Sequence, residues 1–258
     1  MTDLQGSILV TGAGSGFGQA TALAAAKGGL SVIAGVENDN QVSEAETYFG
    51  NAGVDVTVIR LNLLDTADIA AAGEMDVRTL INNAGFGAQG PILETGLDLA
   101  RKVFDINVFG TLSLTQAVAH NLIRRGKRGK IVYISSVAGL LVSGGAGAYT
   151  ASKHALEAIA EESRAELAPS GIEVHVINPG PFATGFNERL VANAPQVRLT
   201  DSDQHDRGRA ELVTGQFDPA VAVDAILRVA TTANAPYRTV VPSSFIREIR
   251  TYQEQMWE

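Results

Sequence analysis

The chain has 258 residues, 45% of them hydrophobic and 27 of them glycine, which suits one α/β domain with a large sheet and many tight turns. A net charge of −8 speaks against nucleic acid or an anionic membrane as the main partner. With no cysteine, disulfides, thiolate catalysis and cysteine-held metal are excluded, and His120, His154, His175 and His205 lack the spacing of a metal site.

The opening MTDLQGSILV has no basic run leading into an apolar core and cleavage site, and no apolar run nears the ~18 residues that cross a bilayer. A soluble, cytoplasmic chain is expected. A first strand, residues 7–10, runs straight into Thr11 to Gly18 (TGAGSGFG), with a helix over 18–28 behind it. Such a turn lets a ligand approach the backbone, and the helix N-terminus favours a diphosphate. Strand 31–36 ends in Ala34-Gly35-Val36-Glu37-Asn38 and is followed by helix 41–49. Strand 54–61 leads to Asn62 and Leu63, then a short helix and strand 79–81.

Asn82-Asn83-Ala84-Gly85 closes that strand, and the loop 87–94 is expected to shape a pocket. A long helix over 98–125 carries Asn107. Strand 130–134 ends at Ser135-Ser136, helix 148–168 carries Tyr149 and Lys153, and strand 173–177 leads to Pro179-Gly180-Pro181. Residues 185–216 are polar and aperiodic, a non-helical stretch that reads as a substrate-loop insertion. Helix 219–232 and strand 239–241 complete a doubly wound parallel sheet of about seven strands in a single domain.

Tyr149 and Lys153 lie four apart, hence on one face of their helix. A phenol titrates near 10, so working at pH 7 to 8 needs roughly 3 to 4 kcal/mol of stabilisation of the phenolate. An ammonium at ~4 Å supplies about 4 kcal/mol at an effective dielectric near 20. The spacing alone is common in helices; its company makes it informative.

That company resembles the short-chain dehydrogenase/reductase family over residues 6–241. TGAGSGFG resembles its TGxxxGxG cofactor loop, Asn82-Asn83-Ala84-Gly85 its NNAG element, and Pro179-Gly180-Pro181 with Thr184 its PG motif. The resemblance implies a Rossmann-type fold and an NAD(P)-dependent alcohol dehydrogenase or carbonyl reductase acting on a secondary alcohol or ketone. It implies Asn107, Ser136, Tyr149 and Lys153 as catalytic residues, Ser136 being better placed than Ser135 by its interval to Tyr149. Cofactor contacts are implied at Gly12, Ser15, Gly16, Phe17, Gly18, Glu37, Asn62, Leu63, Asn83, Gly85, Tyr149, Lys153, Pro179, Phe182 and Thr184. Asn107 is implied to interrupt its helix locally and to hold a water linked to Lys153.

Two positions depart from the family pattern. The usual Asp after the second strand falls on Val36, with Glu37 next to it, and Asn62 stands where an Asp usually meets the adenine. A carboxylate repels a 2′-phosphate and no Lys or Arg lies in this loop, so NAD is expected over NADP. Two other classes share the fold. Halohydrin dehalogenases carry Arg for the lysine and a spoiled glycine loop, and nicotinamide-sensing regulators lose the tyrosine; this chain has Lys153, an intact glycine loop and Tyr149. A homodimer or homotetramer is expected from apolar residues on more than one face of the two long helices, such as Val108, Leu112, Leu114, Leu156 and Ile159. His154 reads as structural, and Tyr252, Met256 and Trp257 as packing or interface residues in preference to pocket lining.

Overall fold

A computed structural model describes residues 6–142, 145–194 and 213–258; residues 195–212 of the expected substrate loop, with His205, lie outside the described residues. Strands β1 (Ser7–Thr11), β2 (Val32–Val36), β3 (Thr57–Arg60), β4 (Val77–Asn82), β5 (Gly129–Ile134), β6 (Ile172–Pro179) and β7 (Arg238–Val241) form one sheet in the order β3-β2-β1-β4-β5-β6-β7. Every neighbouring pair is parallel. The chain steps outward from β1 to β3, returns to β4, and then steps outward to β7. The C-terminal ends of β1 and β4 therefore flank the topological switch point, where such sheets open a crevice.

Helices α1 (Gly16–Lys27), α2 (Asp39–Asn51), α3 (Thr66–Gly73), α4 (Leu97–Phe104), α5 (Thr111–Arg124), α6 (Gly147–Leu167), α7 (Phe186–Ala192), α8 (Pro219–Thr231) and α9 (Phe245–Gln255) accompany the sheet. Strand alternation sorts its two faces. Ile8 and Val10 of β1 pack with Ala22, Phe49, Ile226 and Val229 from α1, α2 and α8. Leu9 between them packs with Ile69, Leu114 and Leu156 from α3, α5 and α6. Covered on both faces, β2, β4 and β5 are buried at every position, which is why β2, Leu80-Ile81 of β4 and residues 131–134 of β5 read as apolar runs. Asn38, Asp65 and Asp218 cap α2, α3 and α8 with side-chain acceptors, each worth roughly 1 kcal/mol.

Three expectations are corrected. The long helix over 98–125 is two helices joined by a π-helical turn, Asp105–Gly110. Its cause is non-local: Asn107 is bonded to Phe86, and Gly110 is pressed so closely on Leu63 that a Cβ would stand 2.5 Å from the Leu63 carbonyl oxygen. The segment read as non-helical begins with α7, and a C-terminal helix, α9, follows β7. Finally, Val108, Leu114 and Leu156, offered as spare apolar surface, are buried within this one chain. The exposed apolar residues of that region are Leu64, Leu97, Phe109 and Ile123.

Candidate active site

The glycine turn after β1 is shaped by close approach. Gly12 has φ +64°, and a Cβ there would stand 2.8 Å from the Ala84 backbone. At Gly18 a Cβ would lie 2.3 Å from the Gly12 carbonyl oxygen and 2.5 Å from Asn83 Nδ2. Both sites require glycine. Asn83 holds the loop from across the switch point: its Nδ2 donates to Thr11 O (2.8 Å) and Gly12 O (3.3 Å). Thr11 Oγ1 in return accepts from the N–H groups of Asn83 and Ala84. Ser15 precedes α1 in extended conformation, so the first N–H groups of α1, from Gly16, Phe17 and Gly18, face the crevice without intrahelical acceptors.

The PG segment closes the other side. A Cβ at Gly16 would meet Thr184 at 3.3 Å, and the rings of Phe17 and Phe182 meet edge-on at 5.4 Å. Pro179 ends β6, and its carbonyl accepts from Ser136 Oγ at 3.4 Å. At the outer end of the crevice, Glu37 is exposed, and no Lys or Arg among the described residues pairs with it. Gln41, which sequence reasoning missed, accepts from the Glu37 N–H with Oε1 and lies over Gly14. Asn62 uses Oδ1 to accept from Leu64 N, which leaves its amide hydrogens for a ligand; Leu63 beside it is buried.

Ser136, Tyr149 and Lys153 converge where β5 and α6 approach the switch point. Ser136 caps the 3₁₀ turn Val137–Gly139, its Oγ accepting from Ala138 N, and faces the Tyr149 phenol. Ser135 is buried beside Gly139, its Oγ without a partner. Lys153, 4% exposed, donates to Ile134 O at 2.9 Å and lies 5.7 Å from the centre of the Tyr149 ring. A Cβ on Gly85 would stand 3.5 Å from Asn107 Oδ1 and 3.9 Å from Lys153 Nζ.

The electrostatics differ from expectation. Burial pushes the Tyr149 phenol up to about 12, and the Ser136 hydroxyl pulls it back. Burial lowers Lys153 to about 8, opposed by Glu157. The depression of the phenol by its lysine is therefore absent in this arrangement, because the ammonium is turned to the Ile134 carbonyl and the dry surroundings disfavour a phenolate. The Asn107 amide is likewise committed. Its Nδ2 donates to Phe86 O (2.8 Å) and Ser152 Oγ (3.0 Å), and its Oδ1 accepts from Phe86 N (2.8 Å). A water relay would have to use its backbone.

Over the phenol lies a wall the sequence did not disclose. The Phe186 ring is 5.5 Å from that of Tyr149, and a Cβ on Gly87 would touch Leu190, Phe186 and Tyr149 at 3.0 to 3.2 Å. A main-chain bond from Gln89 N to Leu190 O and a side-chain bond from Asn193 Nδ2 to Gly87 O fasten α7 there. His154 bonds the Thr150 carbonyl of its own helix, in keeping with a structural role. Met256 and Trp257 are exposed, and Trp257 lines a surface pocket with Arg250, Gln253 and Glu254.

The short chain dehydrogenase family profile matches residues 7–195. The uncharacterized oxidoreductase YbbO of Escherichia coli is 36% identical over 225 residues, 86% of this chain and 80% of its own length. A short chain dehydrogenase/reductase from Burkholderia phymatum, solved with NAD, superposes with a TM-score of 0.86 at 26% identity, covering 99% of this chain and 96% of that one. A short chain dehydrogenase from Burkholderia cenocepacia, solved with NADP, gives 0.77 at 25% identity, with coverage of 99% and 97%. The chain belongs to the short-chain dehydrogenase/reductase family of oxidoreductases. Among the described residues no helix is long and apolar enough to cross a membrane.

Proposed function

We propose that the protein transfers a hydride between a nicotinamide cofactor and a secondary alcohol or ketone, with Tyr149 as acid and base. The observation that carries this reading is the convergence of Ser136, Tyr149 and Lys153 beside the glycine cradle of α1. The cradle suits a dinucleotide: Gly12 and Gly18 admit no side chain, and the N–H groups that open α1 suit a diphosphate. Gly12, Ser15, Gly16, Phe17, Gly18, Asn83 and Gly85 would hold the phosphate half, Glu37, Asn62 and Leu63 the adenosine, and Pro179, Phe182, Thr184, Tyr149 and Lys153 the nicotinamide riboside. When bound, the nicotinamide gives or takes the hydride.

In the reductive direction Tyr149 passes its hydroxyl proton to the substrate oxygen, and Ser136 donates a hydrogen bond to the same oxygen as charge develops. Among the described residues Lys153 has one acceptor, Ile134 O, for three donors, so it can bind a ribose hydroxyl and pass a proton inward. The polarity of Tyr149 fits the acid role: a phenol held near 12 is protonated until an ammonium swings toward it. Asn107 fixes the Phe86 main chain and the π turn. Glu37 favours NAD, its exposed carboxylate suiting ribose hydroxyls and repelling a 2′-phosphate. Phe186, Leu190 and Gly87 suit an apolar substituent on the substrate. Leu64, Leu97 and Phe109 suit contact with a second copy in a dimer or tetramer. Neither the dehalogenase nor the sensor reading gains support from a site that keeps Lys153, Tyr149 and the glycine cradle together.

The test uses NADH or NADPH deuterated at C4 with acetophenone and 2-octanone as probes. Deuterium on the carbinol carbon of the product is the expected result, with NADH used roughly ten- to a thousand-fold more efficiently. No transfer from either cofactor to any ketone of a broad panel would sink the proposal.

A further inference from the structure

Three residues of α6 stand in one stripe at intervals of four: Tyr149, Lys153 and Glu157. The third has no part in the chemistry above, yet it is 8% exposed, and a carboxylate in such a place is costly unless its charge and lone pairs are answered. Both oxygens are answered. Oε1 accepts from Asn178 Nδ2, and Oε2 accepts from Arg238 Nη1 on β7. Asn178 is fully buried on β6; its Nδ2 also donates to the Ser136 carbonyl at 3.0 Å, and its Oδ1 accepts from Arg238 Nη1 at 3.2 Å. One residue therefore separates the Glu157 carboxylate from the main chain of Ser136. The turn that follows Ser136 is seated on the same side chain, since a Cβ on Gly139 would stand 3.1 Å from Glu157 Cγ and 3.0 Å from the Lys153 carbonyl.

We propose that Glu157 is a positioning residue of this site: it fixes the Ser136 main chain through Asn178 and, one helical turn from Lys153, keeps that lysine charged. The inference rests on the reading of Ser136, Tyr149 and Lys153 given above. The charged groups around Glu157 are Lys153 on its own helix and Arg238 on β7, with Glu161 and Arg164 further along α6 around Tyr237. Arg238 takes the carboxylate oxygen that Asn178 does not. Burial alone drives Lys153 toward its neutral form, and Glu157 is the charge that opposes it. Without that opposition more of the lysine is neutral at pH 7 to 8, and a neutral amine neither draws the phenolate nor feeds a proton to it.

The chain has five lysines, so labelling with ¹³C at Cε gives a spectrum simple enough to follow by pH titration, Lys153 being identified by its loss in Lys153→Arg. In the purified full chain the expected midpoint of Lys153 lies below the ordinary lysine value, at about 8, because the group is buried. Glu157→Gln lowers that midpoint by about half a unit to one unit, and the high-pH fall of acetophenone reduction moves down with it. Glu157→Asp keeps the midpoint close to wild type while turnover drops about three- to tenfold, because the shorter arm no longer seats Asn178 and Ser136. Arg238→Gln raises the midpoint, since among the described residues the lysine is then the one cation left to the carboxylate. A loss of packing would give no such opposite signs. An unmoved midpoint in Glu157→Gln, or an unmoved or lower one in Arg238→Gln, overturns the proposal; should Glu157→Gln not fold, the Arg238→Gln result decides alone. The titration reads Lys153 whether or not the chain turns over ketones. Tyr149→Phe with retained turnover would refute the catalytic reading and leave this result standing.

Discussion

A buried lysine stands at each end of β5, Lys130 of the strand itself and Lys153 of α6, and the two differ in how far their donors are answered. At the N-terminal end, Lys130 donates to Val229 O (2.8 Å) and Thr232 O (2.6 Å) at the C-terminus of α8, with Glu173 at 3.6 Å. At the C-terminal end, Ile134 O receives Lys153, whose remaining donors have no acceptor among the described residues. Burial lowers both ammonium groups from the usual lysine value. Lys130 is saturated: two carbonyls and a carboxylate answer three hydrogens, and His175 bonded to Glu173 and Pro236 completes the cluster. Lys153 is left short at the switch point. Depth of burial does not separate the two lysines; the count of unanswered donors does, and the role proposed for Lys153 rests on that difference.

The largest effect that sharpens this comparison is expected from Lys153→Ala. Turnover of ketone should fall by about a hundredfold or more and cofactor affinity should weaken together with it, as one group serves both. Steady-state kinetics with fluorescence titration of NADH checks this; unchanged NADH affinity would break the double assignment. Glu37→Arg comes next. Pairing with the 2′-phosphate should narrow or invert an NAD preference of roughly ten- to a thousand-fold, read as kcat/KM with both cofactors.

Lys130→Met is the smaller counterpart. It should leave kcat/KM within about twofold and cost about 1 to 3 kcal/mol of stability, because the Val229 and Thr232 carbonyls lose a charged donor. Urea unfolding measures it, and a large loss of turnover with intact stability would erase the contrast between the two lysines.

The pH dependence follows from Lys153. Its folded value, about 8, lies below the ordinary 10.5, so between these values the unfolded chain binds more protons than the native one. The penalty of burying its charge is full below pH 8 and is relieved as pH rises through 8 to 10.5. This group therefore adds stability over the window in which reductive turnover declines. Denaturation and rate profiles of the wild type and Lys153→Met, recorded over pH 6 to 10, should show the opposing trends in the wild type and their loss in the variant.

The readable parts of the sequence were those fixed by local chemistry. The strands were visible because burial on both faces leaves no polar alternation, and the glycine turn because Gly12 and Gly18 sit where no side chain fits. Tyr149 and Lys153 were marked by their spacing along one helix and the pair Ser135-Ser136 by its strand end, while Ser136 was preferred to Ser135 on the family resemblance. The π turn was implied by resemblance alone, since its cause, the bonding of Asn107 to Phe86, spans 21 residues. Helix α7 stays hidden for a similar reason: a polar stretch becomes a wall only when Phe186 and Leu190 meet Gly87 and Tyr149. Glu157 had a signal, its place four residues beyond Lys153, but its partner Arg238 is 81 residues away. The lysine's turn toward Ile134 could not be foreseen from a spacing that fixes the helix face and leaves the side chain free.

The central claim is that the Tyr149 hydroxyl is the proton donor to the substrate oxygen. Tyr149→Phe removes that oxygen and keeps the ring packed on Phe186, so fold and NADH affinity should persist. Its single-turnover rate of ketone reduction under saturating NADH is the most direct measurement. A fall of about three orders of magnitude or more, with NADH binding within about threefold of wild type, is the predicted result. A variant that still reduces ketone at more than about a tenth of the wild-type rate would contradict the account.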